Sequence, residues 1–126
     1  MIPATEVFLA LELLRGGLGP YVERELTNKA TLPPEKLAEQ LLYNDSINSK
    51  KPPSEWDVSA LLKVMWDTWN DVFKVTLGHS ERNLISELRS MRNDWAHQQA
   101  FNFDDTYRTL DSTERLLNSV SAASEA

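Results

Sequence analysis

Arg89, Asn93 and His97 are spaced four apart. In a helix each lies within about 40° of the last, so the three form one polar stripe. Arg92 flanks it and completes the run Arg92-Asn-Asp-Trp-Ala-His97. An imidazole titrates near ~6.5 and can give or take a proton at neutral pH. A guanidinium stays charged and can hold two phosphate oxygens at once. These are the groups needed to cut RNA through its own 2′-hydroxyl: a base for that hydroxyl, an acid for the departing 5′-oxygen, and positive charge on the phosphorane. Asn93, one turn before His97, could orient the imidazole or bind phosphate. A histidine close to its helix's C-terminus feels a field that favours the imidazolium, the form that acts as an acid. Burial would act in the opposite sense.

One helix supplies too little. Arg92 and His97 stand ~7.5 Å apart along the axis and about 140° apart around it. A helix that ends or bends near Ala96 could bring them together, yet one imidazole cannot easily be base and acid at once. The competing reading has Arg92 and His97 cap and brace one end of the fold, with Asp94 as ion partner. Arg89 and Arg82 are candidate RNA contacts, joined by His79, which sits near a helix start that favours anions. His79 and His97 are the chain's two histidines. Without further ligands at suitable spacing they make a poor zinc set, so no metal and no cofactor is assigned.

These residues need a helix to carry them, and Leu84, Ile85, Leu88, Met91 and Trp95 recur every three or four positions to give one an inward face. The pattern predicts a helix through residues 80–97, with Gly78 stopping the helix before it and Ser80 as N-cap. Residues 5–29 also have helical period, interrupted by Gly16, Gly17, Gly19 and Pro20, which predicts a kink or two consecutive helices. Pro33 and Pro34 open a short helix through Leu37, Leu41 and Leu42, and residues 44–53 read as a loop. Ser54-Glu-Trp-Asp57 has capping-box spacing and opens a long helix with Val58, Leu61, Leu62, Met65, Trp69, Val72, Phe73 and Leu77 inward. Its tryptophans read as core, with Trp66 left open to stacking on a base. Asp104 and Asp105 suit the start of a last helix whose inner face is Tyr107, Leu110, Thr113, Leu116, Leu117 and Val120. The class is all-α, a bundle of four to five helices over residues 1–120, with 121–126 as a tail or the start of a linker.

A chain of 126 residues, 41% hydrophobic, suits one core. It has no cysteine, which excludes disulfides and thiolate chemistry. No apolar run approaches the ~20 residues that span a bilayer. Met1-Ile-Pro-Ala-Thr-Glu6 lacks the pattern of a secretory signal. The expectation is a cytoplasmic protein with no membrane partner. The net charge of −6 argues against a broad duplex-binding surface. Within residues 82–97, however, Arg82, Arg89 and Arg92 outnumber Glu87 and Asp94.

The Arg-x4-His run resembles the Rx4–6H motif of the HEPN superfamily. Leu62-Lys-Val-Met-Trp-Asp-Thr-Trp-Asn-Asp-Val-Phe73, Leu77-Gly-His-Ser-Glu-Arg-Asn-Leu-Ile-Ser-Glu-Leu88 and Tyr107-Arg-Thr-Leu-Asp-Ser-Thr-Glu-Arg-Leu-Leu117 extend the likeness to the Swt-one-type HEPN group over almost the entire chain. The resemblance implies a HEPN-like helical bundle and a metal-independent endoribonuclease with Arg92, His97 and Asn93 as catalytic residues. It also implies a homodimer joining both motifs in one cleft, as an isologous interface would do. Such domains typically open longer bacterial proteins with an ATPase or helicase-like region, often among phage-defence genes or toxins. The alternative is a non-catalytic HEPN dimerisation or RNA-binding module of such a protein; a third option is nucleotide or small-anion binding in the same cleft. HEPN toxins silenced by nucleotidylation usually carry tyrosine two positions after the histidine. Here that place is Gln99, so the modification is not implied.

Overall fold

Val7, Leu11, Leu14, Leu18, Val22 and Leu26, three or four apart, all bury on the inner face of the first helix, α1 (Pro3–Lys29). The computed structural model describes residues 3–97 and 102–125, and side chains within 5–97 and 102–123. Gln99 therefore lies outside the described residues. The interruption expected at Gly16–Pro20 is absent: α1 runs unbroken, with Pro20 inside it. The glycines serve packing instead. A side chain at Gly17 would strike Leu117, and a Cβ at Gly19 would stand 3.0 Å from the Ser54 carbonyl oxygen. Their absence lets two later segments lie close against α1.

Helix α2 (Pro34–Leu41) carries Pro34 in its first turn, where a missing donor costs nothing. The loop after it holds a single 3-10 turn, Asn48–Lys50. Asn48 is buried, and its Nδ2 donates to Asp45 Oδ2 at 2.6 Å and to Asp57 Oδ2 at 3.0 Å. That clamp places the cap of α3 (Val58–Asp67) at Asp57, whose Oδ1 accepts from the Ala60 amide at 2.9 Å. Ser54 is not the cap. It lies in a 3-10 turn, Pro53–Glu55, with its amide on Glu23 Oε2 at 3.1 Å.

Nor does this helix reach Leu77. Thr68 Oγ1 donates to the Val64 carbonyl at 2.6 Å, and Asn70 and Asp71 follow, residues that favour turns. Trp69, Val72, Phe73 and Leu77 are buried all the same, reached through turns and a 3-10 segment, Phe73–Val75. Tyr21 fastens this segment to α1: its hydroxyl lies 2.8 Å from Thr76 Oγ1 and its ring 5.9 Å from that of Phe73.

Helix α4 (His79–Ala96) starts one residue before the expected cap. Gly78 is the N-cap, its amide donating to Glu81 Oε1 at 2.7 Å. Helix α5 (Phe103–Glu125) is capped by Asn102, which exchanges bonds of 3.2 and 2.8 Å with Asp105. It extends through most of the expected tail, with Ala123 packed against the core. Its inner face keeps Thr113, Leu116 and Val120 as expected but is rotated in the first half of the helix. Thr106, Thr109, Ser112, Thr113, Leu116 and Val120 are buried, whereas Tyr107 is 59% and Leu110 37% exposed. Two of these hydroxyls are satisfied on their own helix, Thr106 and Thr109 bonding to carbonyls one turn back at 3.1 and 2.9 Å, whereas Thr113 Oγ1 has no partner among the described residues.

The result is the expected all-α bundle, with no strand among the described residues. α1 packs on α3 and α5, and α4 lies between those same two helices. Trp56 and Trp69 are core, as expected. No described helix is long and apolar enough to cross a membrane.

Candidate functional site on helix α4

Helix α4 meets α5 along one flank, through Arg108 on Glu87 at 3.1 Å and Ser119 on Glu81 at 3.1 Å. Its other flank faces α3. There the Arg82 guanidinium sits 4.5 Å above the Trp66 ring. Further along, Arg89, Arg92 and Asn93 join Ser59, Leu62 and Lys63 of α3 around a hollow of about 50 Å³. One water needs roughly 10–15 Å³, so this is room for a few waters or one phosphate group, and not for a nucleobase.

The charges around the hollow differ from those elsewhere. Arg15, Arg24, Arg108 and Arg115 each lie within 4.0 Å of a carboxylate. Arg82, Arg89 and Arg92, the three arginines of α4, have no such carboxylate among the described residues. Arg89 and Arg92, three apart on one helix, repel each other. Asp94 is exposed and pairs with neither. The bracing role that would have made Arg92 structural therefore has no ion pair behind it. Lys63 is the exception at the hollow, held by Asp67 one turn on.

His97 caps the C-terminus of α4, its amide donating to the Asn93 carbonyl at 3.0 Å. The helix thus stops at Ala96, where the spacing argument needs it to stop. The imidazole is exposed and does not line the hollow. His79 opens the same helix, ~27 Å from His97 along the axis at 1.5 Å per residue. The structure thus gathers Arg89, Arg92 and Asn93, sets His97 just beyond them, places Arg82 on Trp66, and leaves His79 at the far end. Lys63 and Ser59 were not anticipated. Their part depends on how α3 lies against α4, which no spacing within either segment encodes.

A larger hollow of about 950 Å³ opens between α1, α2 and the loop after α2. Glu23, Glu35 and Glu39 line it with four prolines, beside Lys50 and Lys51. Those carboxylates disfavour a phosphate there, so size is the weaker guide. No three His, Asp or Glu among the described residues gather as metal ligands.

The family model described as Swt1-like HEPN matches residues 9–121. The chain belongs to the Swt1-like HEPN family. The match takes in α3, α4 and all but the end of α5, so the hollow and the Arg-x4-His run are both within this HEPN domain. Comparisons with curated proteins and with solved structures give no match.

Proposed function

We propose that this HEPN domain is a metal-independent endoribonuclease acting on RNA. The observation that carries the reading is the pair of half-buried, carboxylate-free guanidiniums, Arg89 and Arg92, on the helix that ends in an exposed His97. One imidazole takes the 2′-hydroxyl proton as O2′ attacks phosphorus. The P–O5′ bond breaks, a second imidazole protonates O5′, and a 2′,3′-cyclic phosphate is left. Arg92 holds the non-bridging oxygens as charge grows, and Asn93 orients imidazole or phosphate. Each imidazole in such a role contributes about 10²–10⁴-fold in rate.

Two imidazoles require two chains, because His79 stands at the far end of α4. A two-fold homodimer would set each His97 beside the other chain's Arg92. In a cell the domain would serve as the cutting element of a bacterial defence protein, with an ATPase or helicase-like region as its regulator. The test is purified protein with RNA in excess EDTA, comparing Arg92→Ala and His97→Ala. Cleavage lost in both variants is expected; cleavage that disappears with EDTA overturns the reading.

His97 lies outside the hollow that holds Arg92, and this favours a second reading, a HEPN module that dimerises or binds RNA without cutting. A dimer that survives His97→Ala, with no cleavage at high protein concentration, would select it.

A further inference from the structure

We propose that the α3–α4 hollow seats a backbone phosphate of single-stranded RNA adjacent to the one that is cut, with Arg89, Lys63 and Ser59 as its contacts. This rests on the reading of α4 as an RNA-acting surface. Two helices converge three cationic side chains, Arg89, Arg92 and Lys63, on a space sized for one small polar group. Among the described residues Arg89 and Arg92 lack any carboxylate within 4 Å, although acids outnumber bases 19 to 13 in the chain. Cations held together without counter-charge repel, and an anion between them relieves that repulsion. Phosphate fits better than carboxylate, because the Arg89 guanidinium and the Lys63 ammonium approach from different helices and can reach separate oxygens.

The hollow is also separate from the cutting position. Its α4 wall centres near residue 91, which puts it ~9 Å along the axis from His97. A phosphate there is a neighbour of the scissile one, with Arg92 and Asn93 standing between the two. Arg82 on Trp66 continues the same flank of α4, one further stop along the strand.

Lys63 enters this site from an existing ion pair, since Asp67 holds it from one turn along α3. Both partners are partly exposed, at 41% and 28%, so the pair is weak and can be exchanged for phosphate. Asp67 is accordingly a competitor for the Lys63 ammonium, a positioning residue rather than a contact.

The experiment is binding of a fluorescent single-stranded RNA carrying 2′-O-methyl groups, which cannot be cut, over a series of salt concentrations. Arg89→Gln and Lys63→Gln are expected to weaken binding several-fold. Each should also reduce the slope of log affinity against log salt by about 0.7. Asp67→Asn is expected to tighten binding, an effect absent when Lys63 is already Gln. Melting curves verify that each variant is folded, and none of these side chains is in the core. Unchanged affinity and slope in both Gln variants overturn the subsite while leaving the nuclease reading intact. If the wild-type protein fails to cut the same RNA without 2′-O-methyl groups while the binding changes appear as expected, the subsite stands and the nuclease reading falls.

Discussion

The Arg82 guanidinium lies 4.5 Å from the centroid of the Trp66 ring, and its Nε is buried with no hydrogen-bond partner. A cation over an indole contributes about 0.5–2 kcal/mol, and the arginine stem covers apolar surface besides. The unpartnered Nε takes some of this back. Arg82→Ala should therefore lower stability by about 1 kcal/mol in urea unfolding, and Arg82→Met by less, since it keeps the covering stem. Equal losses in the two variants would mean that the charge on the ring is what counts.

Three glycines of α1 should respond to alanine in different ways. Nothing lies within 4 Å of a Cβ at Gly16, so Gly16→Ala should stabilise by about 0.5–1 kcal/mol through helix propensity. At Gly19 the obstacle is a backbone oxygen 3.0 Å away, which cannot swing aside, and Gly19→Ala should destabilise. Gly17→Ala meets only a Leu117 methyl, which can turn, and should fall between them. Thermal unfolding of the three variants gives the order directly.

Capping of α3 gives a sharper contrast. Asp57→Ala removes the bond to the Ala60 amide and one acceptor of the buried Asn48, and should cost about 1–2 kcal/mol. Ser54→Ala should change stability by less than about 0.5 kcal/mol, because that side chain caps nothing. Chemical unfolding of both at neutral pH is the measurement.

Burial pushes the Tyr21 phenol above its usual 10.0, and the Glu25 carboxylate adds to the rise; the bond to Thr76 acts against it. The native state therefore keeps this proton at a pH where the unfolded chain has lost it. Stability from this source is whole below about pH 10 and drains away as pH rises from there through the higher native value. Tyr21→Phe should flatten that alkaline limb. At neutral pH it should cost about 1 kcal/mol for the lost hydrogen bond.

Much of the fold could be read in advance, and the failures share a cause. The period of Leu84, Ile85, Leu88 and Met91 gave α4 its inner face, and of these Ile85, Leu88 and Met91 are buried as expected. The same rule placed Tyr107 and Leu110 inside α5, where Thr106, Thr109 and Ser112 stand instead. Counting apolar side chains cannot detect a threonine that satisfies itself on its own helix. Likewise Trp69, Val72 and Phe73 kept a helical rhythm while the backbone left the helix at Thr68. At the site, the α4 residues Arg89, Arg92 and Asn93 were legible because one helix sets their spacing. Lys63 was not, because its place depends on how two helices cross.

The hydroxyl-rich seam of α5 has a dynamic consequence. Thr106 and Thr109 hold carbonyls of their own helix, so those bonds survive if the first half of α5 lifts away, and the aliphatic anchors Leu116 and Val120 lie in its second half. Its polar contacts with α4 include those to Glu81 and Glu87 and the bond from Thr109 to Met91. In heavy water, amides of the final helix should exchange well before those of the first, which sits sealed by six aliphatic side chains.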